Sequence, residues 1–69
     1  MNEDIIKGRW KEVKGKVKQQ WSKLTDDQIG QMSGSYIELE GLLQKNYGYQ
    51  KDQAKKEIDA FIDAHKWRD

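Results

Sequence analysis

Sixty-nine residues, 36% of them charged and 35% hydrophobic, with a net charge of only +1, allow one small domain spanning residues 1–69 and nothing larger. The absence of cysteine excludes disulfides and thiolate metal sites, and the absence of proline leaves no fixed break in a helical pattern. Mean hydropathy of −1.13 approaches that of disordered chains, yet the small net charge and three tryptophans point to a marginally stable fold. No apolar run has the length of a secretion signal or a membrane span, so the expectation is a cytoplasmic monomer.

The spacing predicts a first helix over residues 5–24. Ile6, Trp10, Val13, Val17, Trp21 and Leu24 fall within about 80° on a helical wheel, an apolar stripe of the kind that builds a core. Lys7, Lys11, Lys14 and Lys18 form a second arc beside it. Gly8 and Gly15 lie opposite the stripe, and each costs roughly 1 kcal/mol against alanine inside a helix. That face is either a place where a partner backbone approaches closely or a mark of a kinked, loose helix. Charge is unevenly spread: residues 1–24 carry seven basic and three acidic side chains, residues 25–69 six and nine.

In "LTDDQ", Thr25 and Gln28 have the spacing of a capping box, with Asp26 and Asp27 in the first turn of a short helix reaching about Met32. Capping therefore accounts for this carboxylate pair without catalysis. "SGS" at 33–35 reads as a joint, with Ser35 and Glu38 offering another cap, or as a helix passing straight through Gly34. Tyr36, Leu39, Leu43 and Tyr47 then share one face, and Gly48 is suited to stop that helix. The last helix places Ala54, Ile58, Phe61, Ile62 and His65 on its apolar face, pairs Asp52 with Lys56, and is expected to fray toward Trp67. The expected core is Trp10, Val13, Val17, Trp21, Leu24, Leu39, Leu43, Tyr47, Ile58 and Phe61. The plan is all-α, three clear helices and one short one, with short connections that favour antiparallel neighbours.

The inventory for catalysis is thin. His65 is the lone histidine and sits near a helix C-terminus, where the dipole favours an imidazolium. Scattered acids and one histidine make no metal cluster, so no cofactor is expected. "GSYIELEG" lacks the lysine of a phosphate-binding loop. Nucleic acid is the sharper expectation: Lys7, Lys11, Lys14 and Lys18 offer phosphate contacts, while arginine, the usual base reader, occurs only at Arg9 and Arg68. Such binding would be weak, non-specific and lost at raised salt. Membrane binding by the same amphipathic stretch competes with burial of its tryptophans.

"GRWKEVKGKVKQQWSKLTDD" and "GLLQKNYGYQKDQAKKE" resemble the two hallmark blocks of the CsbD-like family of small bacterial general-stress proteins. The resemblance runs over almost the whole chain. It implies two helical hairpins packed crosswise, similar to the SAM-domain-like arrangement, and induction under general stress, with no established molecular activity. It identifies Gly8, Trp10, Lys11, Lys14, Gly15, Lys16, Lys18, Trp21, Leu24, Thr25, Asp26, Asp27, Gly34, Gly41, Gln44, Tyr47, Gly48 and Tyr49 as family positions rather than a catalytic site. Gln50 departs from it, standing where the family often has a serine that caps the last helix. The function implied is non-enzymatic contact with, or protection of, an unidentified macromolecule.

Overall fold

The computed structural model describes residues 2–67, and the described chain is all-α. Five helices follow one another: α1 (Asn2–Gly8), α2 (Trp10–Gln20), α3 (Asp26–Gln31), α4 (Tyr36–Tyr47) and α5 (Lys51–Ala64). The expected single helix over 5–24 is two helices. It breaks at Arg9, whose φ of −114° and ψ of 24° leave the helical basin, directly after Gly8, the residue with the least resistance to leaving it. It also stops at Trp21, three residues short of Leu24. The count is therefore five; Gly8 lies at the break, while Gly15 lies within α2.

The joints follow local chemistry. Thr25 Oγ1 accepts from Gln28 N at 3.0 Å while Gln28 Oε1 accepts from Thr25 N at 3.1 Å, the complete capping box. The chain does not pass through Gly34 as helix: that residue has φ +90°, and Ser35 Oγ caps α4 by accepting from Ile37 N and Glu38 N. Glu38 turns its carboxylate onto Ser33 N and Oγ, both at 3.0 Å, which lowers its pKa. Gly48, in the left-handed region at φ +72°, ends α4. Gln50 caps α5 without a side-chain bond. Among the described residues the expected Asp52–Lys56 pair is not closed; on the next face of α5 Gln53 donates to Glu57 at 3.1 Å.

The C-terminal turn departs most from expectation. Trp67 does not fray but is 8% exposed against the core. Lys66 N donates to Asp63 O and Trp67 N to Ile62 O, the two bonds of a Schellman motif, with Lys66 itself at φ +55°. The accompanying apolar contact is Phe61 against Trp67, edge to face at 5.2 Å. Because a lysine holds a position that suits glycine, Lys66→Gly should raise stability by about 0.5–1 kcal/mol. Urea denaturation of the two proteins checks this, and a destabilised variant would show that the turn is not strained.

The core holds Ile6, Val13, Val17, Trp21, Leu24, Ile29, Met32, Leu39, Leu43, Ala54, Ile58, Phe61 and Ile62, closed at its edges by Tyr36 and Trp67. α4 and α5 form an antiparallel-type hairpin across a three-residue connection, and α1 packs on α4. Two expected core residues are corrected. Trp10 is half-buried, because the break at Arg9 sets it at the start of α2 on the rim of the stripe. Tyr47 is half-buried because its hydroxyl reaches out to accept from Lys23 N at 3.2 Å. Among the described residues no helix is long and apolar enough to cross a membrane.

Candidate functional site

The lysine edge begins on α1 with Lys7 and continues on α2 with Lys11, Lys14 and Lys18, all four exposed. Their positions follow from burial of the neighbouring stripe: once Ile6, Val13, Val17 and Trp21 turn inward, the arc beside them must face water. The edge is not uniform. Lys18 Nζ lies 3.1 Å from Asp26 Oδ1, drawn toward the start of α3. Lys7, Lys11 and Lys14 make no ion pair among the described residues. The remaining surface pair here, Arg9 with Glu12 at 3.5 Å, is exposed on both sides and contributes little.

Gly8 and Gly15 are both exposed, and a Cβ built on either meets nothing within 4 Å. No close approach inside the chain requires them. Gly15→Ala should therefore stabilise the domain by about 0.5–1 kcal/mol through helix propensity alone, a gain readable as a rise in the urea midpoint with unchanged slope. A loss of stability would mean that the backbone at Gly15 is not ordinary helix.

Trp10 has a neighbour that the wheel did not show. A Cβ at Gly34 would stand 3.1 Å from its Cγ, 3.2 Å from its Cβ and 3.4 Å from its Cδ2. The backbone of the 33–35 joint thus lies against the indole, and only glycine permits both that approach and φ +90°. Beside it runs an open groove of about 330 Å3, lined by residues that include Glu3, Asp4 and Lys7 of α1 together with Gly34 and Ile37. Ile37 is 73% exposed, the single large apolar side chain so placed among the described residues. Its sequence signal was an apolar residue about 100° off the Tyr36–Leu39–Leu43 face.

A second, acidic groove lies where α1, α4 and α5 meet, lined by Asn2, Glu3, Ile5, Tyr36, Lys55, Asp59 and Asp63. Tyr36 Oη donates to Asp59 Oδ1 at 3.0 Å, and Asn2 Nδ2 donates to the same oxygen. Burial, then the Asp59 hydrogen bond and charge, push the phenol far above its ordinary value near 10. A phenol so held is a donor at neutral pH and not a base, so the pair ties α4 to α5 rather than arming a reaction. His65 is likewise structural: its Nδ1 lies 3.0 Å from Phe61 O and its ring stacks on Trp67 at 4.6 Å. Among the described residues no three His, Cys, Asp or Glu side chains gather to hold a metal ion.

The two sequence blocks that carried the family resemblance meet in space. Asn46 Nδ2 donates to Lys23 O at 3.2 Å and to Gln28 Oε1 at 2.6 Å, while Gln28 Nε2 donates to Asn46 Oδ1 at 3.3 Å. Tyr47, stacked on Tyr49 at 5.2 Å, adds its bond to Lys23 N and takes the Lys23 ammonium over its ring. The end of α4 therefore clamps the loop between α2 and α3. These residues hold the fold; Lys7, Lys11 and Lys14 take no part in the clamp.

A family model described as CsbD-like matches residues 4–56, from α1 into α5. The UPF0337 protein YjbJ of Escherichia coli O6:H1 is 52% identical over 68 residues, 99% of each chain. The UPF0337 protein YjbJ of Salmonella typhimurium is 53% identical over 58 residues, 84% of this chain and 83% of its own. The UPF0337 protein pc0632 of Protochlamydia amoebophila is 47% identical over 66 residues, 96% of this chain and 100% of its own.

Proposed function

The chain belongs to the CsbD-like family, and from that premise we propose that it serves the general stress response without catalysis, by contact with a macromolecule along the outer edge of α1 and α2. The observation that carries this reading is the set of exposed lysines, Lys7, Lys11 and Lys14, that make no ion pair among the described residues and hold nothing in the fold together. Three acids engage neighbours elsewhere in the fold: Asp26 takes Lys18, Asp59 takes Tyr36, and Glu38 takes Ser33.

The partner class that fits this edge is a polyanion, nucleic acid above all. Three lysines neutralise about three phosphates, which gives a duplex-binding slope of about −3 in log K against log salt. Affinity is then modest and sequence-blind, since no arginine fork is present on the edge to read a base. Lys11→Glu combined with Lys14→Glu should abolish binding of a short DNA duplex at low salt and leave the thermal melt unchanged. Equal affinity in that double variant would refute the lysine edge as the contact.

A further inference from the structure

We infer that Trp10, seated on Gly34 and flanked by Lys7, Lys11 and Lys14, is a stacking platform for an unpaired nucleobase, so that the polyanion this chain prefers is single-stranded nucleic acid. This rests on the polyanion reading above and narrows it. Three tryptophans are present, and their environments differ. Trp21 is 2% exposed and Trp67 8% exposed, both inside the aromatic cluster around Phe61. Trp10 is half-buried and packs against the core only in part.

The seat holds the ring in place before any ligand arrives. The Gly34 backbone lies against the indole at Cγ and Cδ2. The joint that carries Gly34 is fixed on both sides, by Glu38 holding Ser33 and by Ser35 capping α4. A ring fixed in this way loses little freedom when a base lands on it, which is the condition for stacking to add affinity.

The charges around the ring are arranged for a strand rather than a point anion. Lys14 follows Trp10 by one turn of α2, and Lys7 lies near the end of α1, across the break at Arg9, so cations are placed before and after the ring along the chain. Exposed Ile37 borders the same groove as Lys7 and Gly34 and offers an apolar wall to a base or sugar. Glu3 and Asp4 line that groove too, one turn before Lys7 on α1, and repel phosphate from it. The backbone of a bound strand is thereby kept on the Lys11–Lys14 side while a base turns toward the indole. A duplex keeps its bases stacked inside and cannot use the ring; a single strand can.

The test uses tryptophan fluorescence and affinity on the full chain, with oligothymidylate of about twelve nucleotides, a duplex of equal length, heparin, and vesicles of anionic phospholipid. Oligothymidylate should quench the emission of the wild-type protein, and Trp10→Phe should remove that quench while keeping affinity within about three-fold, since phenylalanine still stacks. Trp10→Leu, which keeps apolar bulk without a π face, should lose about ten-fold in oligothymidylate affinity and leave heparin binding unchanged. A quench that persists in Trp10→Phe, or an equal loss for heparin and oligothymidylate in Trp10→Leu, would overturn the platform. So would duplex and heparin binding with no advantage for the single strand, which would leave the lysine-edge reading standing. Binding to none of the polyanions would remove both. Partition into vesicles with a blue-shifted emission, without any response to oligothymidylate, would assign Trp10 and Ile37 to a lipid surface instead.

Discussion

Trp21→Ala is expected to leave the chain largely unfolded at 37 °C. The residue is 2% exposed, meets Phe61 at 4.8 Å with tilted rings, and sits between α2 and the clamped loop. Removing a buried aromatic of this size costs about 3–5 kcal/mol, while the stability of a domain of this length is only of the order of 5 kcal/mol. A second substitution separates volume from polarity. Among the described residues the buried Trp21 indole N–H meets no acceptor, and such an orphan costs about 1–3 kcal/mol. Trp21→Phe removes the orphan along with part of the ring, so its loss should be much smaller, about 1 kcal/mol or less. Circular dichroism melts of the two variants decide the matter. A cooperative melt of Trp21→Ala close to the wild type would show that Trp21 is not the centre of the core.

Gly34→Ala should be the most damaging change outside the core, with a loss of about 2–3 kcal/mol. Two causes act together. An L-residue at φ +90° is strained whatever surrounds it, and the new methyl would stand 3.1 Å from Trp10 Cγ. The causes can be separated because they have different partners. In a Trp10→Ala background the indole is gone, leaving the backbone strain and the contact with Cβ at 3.2 Å, so the same substitution should cost visibly less there. Urea midpoints of the four proteins form the cycle; strict additivity would show that the methyl never meets the ring. The contrast with Gly15→Ala, expected to stabilise, sets two glycines of one chain in opposite roles.

Much of this architecture could be read from residue spacing, and the failures have local reasons. The Thr25–Gln28 capping box and the Gly48 stop depend on neighbours within four residues, and both are found. The stripe of Val13, Val17 and Trp21 is buried as the wheel requires, and Leu24 is buried too, though from the loop beyond α2. The break at Arg9 was missed because periodicity continues through it: Ile6 and Val13 both stay inside while the axis turns between them. Trp10 was placed too deep for the same reason. Trp67 was expected to fray because nothing in a lysine predicts φ +55°, and the left-handed turn at Lys66 is imposed by Trp67 finding Phe61. The exposed lysines were legible from the charge arc. The seat of Trp10 on Gly34, twenty-four positions away along the chain, was not, because it is a tertiary contact.

The interruption at Arg9 also sets where the molecule first comes apart. α1 has seven residues, well short of the roughly 12–15 that an isolated helix needs to persist in water. Its amide protons are protected only while Ile6 remains docked and Asn2 stays bonded to Asp59. α4 and α5 are longer, at twelve and fourteen residues, and pack on each other. Hydrogen exchange should accordingly find two classes of opening, with α1 releasing as a unit, pivoting at Gly8 and Arg9, at a free energy below that of global unfolding. Each such excursion uncovers the cavity left by Ile6 and carries Lys7 away from Lys11, so the continuity of the basic edge is itself a fluctuating quantity, set by how firmly one short helix is docked.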